Sequence, residues 1–155
     1  MDKKEFARRV EGIRAQLYRT AYLYLNNEAS ALEAVDESIY KALRALKTLR
    51  QPEYLTTWLT RILLNECKRE QARLHRMIPA EDWQTKSGET EDYDRLPLKE
   101  AIARLPEELR VVIILRYFND YTLAQTAEVL DIPQGTAASR QRRALALLKL
   151  DLEEE

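Results

Sequence analysis

The chain of 155 residues is poor in everything that interrupts a helix, with three glycines and five prolines in all. With turn formers so scarce and Leu, Ala, Glu, Arg and Lys abundant, the composition predicts helix nearly throughout. A single cysteine, Cys67, excludes an intrachain disulfide and fits a reducing compartment. That cysteine and the one histidine, His75, are too few for a zinc site, which needs four ligands or three plus water. No metal is expected. Apolar runs are short as well: VVIIL at 111–115 falls far below what a bilayer span requires, so membrane insertion is excluded. The opening MDKKEFARRV has no apolar stretch of the kind a secretory signal needs, which predicts a cytoplasmic protein.

Excess charge of either sign is also lacking. The net charge is −1, with 33% charged and 45% hydrophobic residues, which on its face argues against a nucleic-acid partner. The distribution of the charges removes that objection. Residues 1–75 hold 14 Lys/Arg against 10 Asp/Glu, whereas 76–95 hold 3 against 6 and 96–155 hold 8 against 10. Part of the acid in the last stretch is the tail Asp151, Glu153, Glu154 and Glu155, so basic residues remain able to form local patches.

What is present is helical periodicity. Phe6, Val10, Ile13, Leu17, Ala21 and Tyr24 recur at three- and four-residue steps, predicting one face of a long helix punctuated by Asn26 and Asn27. A second helix is expected over 28–49, with Leu32, Val35, Ile39, Leu43 and Leu46 as its core stripe. Pro52 breaks the pattern. A third helix follows over 56–73 with Leu59, Ile62, Leu63 and Cys67 inward, and His75 marks a fraying end. Residues 1–75 thus predict a three-helix bundle, and 76–95 an acidic flexible linker. Periodicity resumes at Leu98. Ala101, Ile102 and Leu105 form a short helix ending at Pro106, and a second carries Leu109, Val112, Ile113 and Tyr117 to about Phe118. Thr122 is an N-cap candidate for a helix with Ala127 and Leu130, Asp131-Ile132-Pro133 make a tight break, and a longer helix opens at Gln134. A short helix, a tight turn and a second helix form a helix-turn-helix within 96–155. The fold class expected is all-α, in two small domains.

Two constellations point to nucleic acid. Pro133, Gln134, Thr136, Ser139, Arg140, Arg142 and Arg143 occupy the end of the last helix that enters the major groove in such motifs. There Arg reads guanine edges, Gln pairs with adenine, and Ser or Thr holds phosphate. On the residues alone, a merely solvated RQRR face stays open. Around the Pro52 break, Arg50, Gln51, Tyr54, Thr56, Thr57, Trp58, Arg61, Asn65 and Lys68 combine rings, amides and cations, a set suited to unwound strands. Trp58 is equally readable as core, at least in part. Glu33, Asp36 and Glu37 sit together on the second helix with Lys41 a turn further on. No nucleophile, Gly-rich loop or second acidic cluster accompanies them. They read as a protein-docking face or as ion-pair partners of Lys41 within the helix, not as a catalytic pair or a small-molecule site.

These parts occur together in one known family. ALEAVDESIYKALRAL (31–46) resembles the second conserved helix of extracytoplasmic-function sigma factors, and LRQPEYLTTWLTRILLNECKREQAR (49–73) their following T-W-L-x-R-I segment, with Trp58, Arg61 and Asn65 in step. The stretch from Leu98 is similar to their second domain. It has the L-P-x-x-x-R-x-V opening at 105–112, the A-E-x-L-x-I-P-x-G-T core at 127–136 and the S-R-x-x-R-A ending at 139–144. The departures are Asp131 in place of a frequent turn Gly, Ala137-Ala138 in place of Val-Lys, Leu55 in place of an aromatic and Asp36 in place of Gln.

The resemblance implies a transcription initiation subunit, not an enzyme, that needs no cofactor. By the same resemblance, Glu33, Asp36, Glu37 and Lys41 face core RNA polymerase, whose β′ clamp helices and β flap are the contacts. The Arg50–Lys68 set captures unwound bases of the −10 element of promoter DNA, Pro133–Arg143 reads the −35 duplex, and an anti-sigma factor is a further partner. The main rival is a free-standing helix-turn-helix regulator in which residues 1–75 serve for dimerisation or sensing; the in-step matches at 31–46 and 58–65 favour the sigma reading.

Overall fold

A computed structural model describes residues 1–77 and 96–153; from residue 78 on, the linker expected at 76–95 lies outside the described residues. Among the described residues there are helices and no strands. The first domain holds α1 (Lys3–Leu25), α2 (Glu28–Arg44) and α3 (Leu55–Met77). The second holds α4 (Leu96–Arg104), α5 (Glu107–Ile113), α6 (Leu123–Leu130) and α7 (Gln134–Glu153).

In the first domain the boundaries follow from side-chain caps. Asp2 accepts from Glu5 N at 2.8 Å to open α1. Asn26 closes it in the left-handed region (φ 53°), which Asn tolerates, and Asn27 at once caps α2 by accepting from Ser30 N at 2.9 Å. Two residues therefore turn the chain, and all three helices pack pairwise. Phe6, Val10, Leu17, Ala21 and Tyr24 are buried as the periodicity predicts.

In α2 the expected core stripe holds in part, with Val35 and Leu46 buried and Ile39 and Leu43 half-buried. Its buried face is Ala31, Ala34, Val35, Ser38 and Ala42, while Leu32 is 54% exposed. Small residues let α2 approach both neighbours closely, and Leu32 and Tyr40 are turned to its outer flank. The helix also ends at Arg44 instead of running to residue 49, giving way to a 3₁₀ turn over Leu46–Thr48. α3 is longer than expected: it runs through Met77, so His75 is not a frayed end but pairs with Gln71 at 2.9 Å within the helix.

The second domain is built on Ile102, Leu105, Leu109, Ile113, Ala144 and Leu148, which join α4, α5 and α7 in one core. After Ile113 the helix widens into a π turn over Ile114–Phe118, leaving Tyr117 exposed instead of in the core and Asp120 at φ 55°. Thr122 and Gln125 then form a reciprocal capping box, with Gln125 N to Thr122 Oγ1 at 3.1 Å and Thr122 N to Gln125 Oε1 at 2.8 Å. Asp131 takes the left-handed closing conformation (φ 56°) despite not being glycine, and Ile132 N reaches back to the Ala127 carbonyl at 3.0 Å. The Pro133 carbonyl receives the amides of Thr136 and Ala137 at 3.0 and 3.1 Å, so α7 opens where the break predicted.

Candidate nucleic-acid interfaces

α7 turns Ala137, Ala144 and Leu148 into the core. Pro133, Gln134, Arg142 and Arg143 are exposed, and Thr136 and Ser139 are half-buried at the edge of the same N-terminal half. Arg140 is held inward: its Nη2 lies 3.6 Å from Glu108 Oε2 on α5, and its side chain is only 27% exposed. The neighbouring Gln141 accepts from Arg116 Nε at 2.8 Å, and Arg116 also donates to the Tyr121 carbonyl. The seven residues grouped by sequence thus separate into an outward set and one arginine tied to another helix.

In the first domain the Pro52 segment is a 3₁₀ turn over Pro52–Tyr54 leading into α3. Arg50, Gln51 and Tyr54 are exposed, Thr56, Thr57 and Trp58 half-buried, and Arg61, Asn65 and Lys68 exposed along α3. Trp58 is therefore partly core and partly surface, while the cations and the amide beyond it meet solvent. Arg9, which sequence reasoning missed, donates from α1 to the Pro52 carbonyl at 2.9 Å and pins this turn. Nothing local to residue 9 signals a partner so far along the chain.

Glu33, Asp36 and Glu37 line a groove between α2 and α3 of about 750 Å³, shared with Glu66, Glu70, Arg69, Arg73 and Arg76. Glu70 accepts from Arg73 Nε at 3.1 Å, and this bond holds the Arg73 guanidinium pKa above its ordinary value. Arg14 of α1 stands 3.6 Å from Asp36. Lys41 does not pair with the acids of its own helix: it bonds the nearly buried Glu66 of α3, so it is a strut between helices. Two exposed apolar residues accompany the acids on α2, and the sequence pattern alone does not group them together. They are Leu32 and Tyr40, whose ring carries the Arg44 guanidinium 5.6 Å from its centroid. Among the described residues no cluster of His, Cys, Asp or Glu could hold a metal, and no helix is long and apolar enough to cross a membrane.

Residues 10–77 match sigma-70 region 2 and residues 95–148 match sigma-70 region 4. The RNA polymerase sigma factor SigV of Bacillus subtilis is 34% identical over 141 residues, covering 89% of this chain and 85% of that protein. The ECF RNA polymerase sigma factor SigM of Mycobacterium tuberculosis is 30% identical, over 86% of this chain and 69% of its own. The chain belongs to the extracytoplasmic-function sigma factors. As such it binds core RNA polymerase and directs promoter-specific transcription initiation. Among solved structures, sigma factor RpoE of Bartonella quintana, in complex with the anti-sigma factor NepR, has the same fold. It gives a TM-score of 0.82 at 22% identity, covering 97% of this chain and 98% of that one. CnrH, in complex with the cytosolic domain of CnrY, aligns with a TM-score of 0.78 at 21% identity, over 99% and 91% of the two chains. The region 2 match spans the three-helix bundle, and the region 4 match spans α4–α6 and most of α7.

Proposed function

We propose that this sigma factor divides promoter recognition between its two domains. The outward side of α7, with Pro133, Gln134, Thr136, Ser139, Arg142 and Arg143, enters the major groove of the −35 element, with Arg140 at its flank. In the first domain, the turn at Arg50–Tyr54 and the face formed by Thr56, Thr57, Trp58, Arg61, Asn65 and Lys68 hold unwound bases of the −10 element. Bases stack on rings while cations meet phosphates. Glu33, Asp36 and Glu37 dock on the β′ clamp helices of polymerase, with Leu32 and Tyr40 as apolar anchors, and the second domain meets the β flap. Lys41 supports this face from behind through Glu66.

The observation that carries the reading is the exposure pattern. Polar and cationic side chains at the N-terminal half of α7, and again on α3, face solvent in groups. The chain acts in the cytoplasm beside polymerase and contributes recognition with no chemistry of its own. An anti-sigma factor holds it in check, a reading supported by the complex that the structurally similar RpoE forms with the anti-sigma factor NepR.

Run-off transcription with core RNA polymerase, on promoter fragments from the chain's own operon, tests this. Initiation is expected to depend on the chain, to fall about tenfold or more with Trp58→Ala plus Asn65→Ala, and to fall similarly with Arg142→Ala. Duplex binding without polymerase, and no association with core enzyme, would instead mark a free-standing regulator.

A further inference from the structure

α5 and the π turn that extends it hold α7 from behind at two successive residues. Glu108 of α5 faces Arg140 at 3.6 Å, and Arg116 of the π turn bonds Gln141 at 2.8 Å. The two contacts differ in kind. Arg116 also reaches the Tyr121 carbonyl and so ties the turn before α6 to α7, a structural role. Glu108 does less for the fold. Its side chain is 56% exposed and its distance from the guanidinium is long, which is the class of ion pair that adds least to stability. Its consequence is electrostatic: one carboxylate occupies a cation that stands beside Arg142 and Arg143, on the half of the helix that meets DNA. A guanidinium already facing a carboxylate offers less to a phosphate, because two anions compete for it.

We propose that Glu108 is an affinity restraint on α7: it occupies Arg140 until a correctly placed backbone phosphate displaces it. This rests on the reading of α7 as the −35 helix. A phosphate that meets the guanidinium in bidentate geometry makes a shorter and stronger bond than the present pair, so the exchange proceeds on a well-seated duplex. Loose, sequence-independent contacts are purely electrostatic and are weakened by the carboxylate. Glu108 is thus a positioning residue that lowers general DNA affinity by acting through Arg140.

The test is a double-mutant cycle read by equilibrium binding of the reconstituted holoenzyme to labelled duplexes, one with the −35 element and one with it scrambled, over a range of KCl. Glu108→Gln is expected to tighten binding to both duplexes about three- to fivefold. On the scrambled duplex, where no phosphate displaces Glu108, it should also steepen the dependence of log K on log salt by about one, the signature of one further phosphate contact. Placed on an Arg140→Ala background, the same substitution should do nothing. The proposal is overturned if Glu108→Gln changes neither affinity nor slope. It is equally overturned if the gain survives intact with Arg140→Ala, since Glu108 would then act by general repulsion. Arg142→Ala in the same series separates the two levels. If it weakens binding while Glu108→Gln is silent, only the restraint falls; if none of the three substitutions alters duplex binding, the −35 reading falls with it.

Discussion

A guanidinium taken out of water must find acceptors, and Arg110 finds them at the end of another helix. It is buried on α5, and its Nη1 donates to the Ala103 carbonyl at 3.1 Å and to Leu105 at 3.5 Å, where α4 stops and its last carbonyls lack intrahelical partners. One side chain therefore closes α4 and joins it to α5. A domain of about sixty residues buries only about 60% of the surface its unfolded chain exposes, so few contacts are redundant. Arg110→Ala is expected to destabilise the second domain by about 2–3 kcal/mol in urea unfolding, the cost of stranding buried carbonyls that had a charged donor. Arg110→Lys should recover only part of this, since one ammonium cannot reproduce the planar fork. An unchanged midpoint for Arg110→Ala would show that solvent satisfies those carbonyls instead.

At the scale of the element, helix ends that carry capping chemistry are legible in the sequence, whereas the ends of α2 at Arg44 and of α3 at Met77, which carry none, are not. Asn26-Asn27, Thr122 and Pro133 mark boundaries because their chemistry acts locally: a left-handed residue, a hydroxyl reaching three residues ahead, a missing amide. The inward face of α1 is legible because its core positions are large. The face of α2 is legible only in part, because its core is mostly alanine and serine around Val35, and counting bulky residues also selects the exposed Leu32. The pairing of Arg140 is hidden for a different reason, since its partner Glu108 lies on a separate helix and no spacing rule links them. The residues around the Pro52 turn stand close together in the sequence, yet Arg9, which pins that turn, lies far from them. The flank of α2 carries a prediction. Leu32 and Tyr40 are each 54% exposed, so Leu32→Ala and Tyr40→Ala should leave the melting temperature nearly unchanged. Each should still weaken association with core polymerase by about 1–2 kcal/mol, as truncated apolar anchors in an interface do. A pull-down titration against core enzyme reads the second effect and differential scanning fluorimetry the first. A loss of melting temperature without loss of association would return both residues to a purely structural role.

For the whole molecule, the chain divides into two units, one matching sigma-70 region 2 and the other region 4. Each has its own core: α1, α2 and α3 pack on one another, and α4, α5 and α7 share the Ile102–Leu109–Leu148 cluster. Cooperative unfolding is a property of a single core, so two cores predict two transitions. Substitutions that remove a buried pair from one core should then move only one of them. Lys41→Ala leaves the nearly buried Glu66 without its strut in the first domain, at a cost of about 1–2 kcal/mol, while Arg110→Ala acts in the second. Urea unfolding of a Trp83→Phe background, followed by Trp58 fluorescence and by far-ultraviolet circular dichroism, tests this. Trp58 sits on α3 and should follow the transition moved by Lys41→Ala, whereas the dichroism should show a second step moved by Arg110→Ala. If both probes report one transition, and either substitution shifts it whole, then the two domains unfold as one cooperative unit.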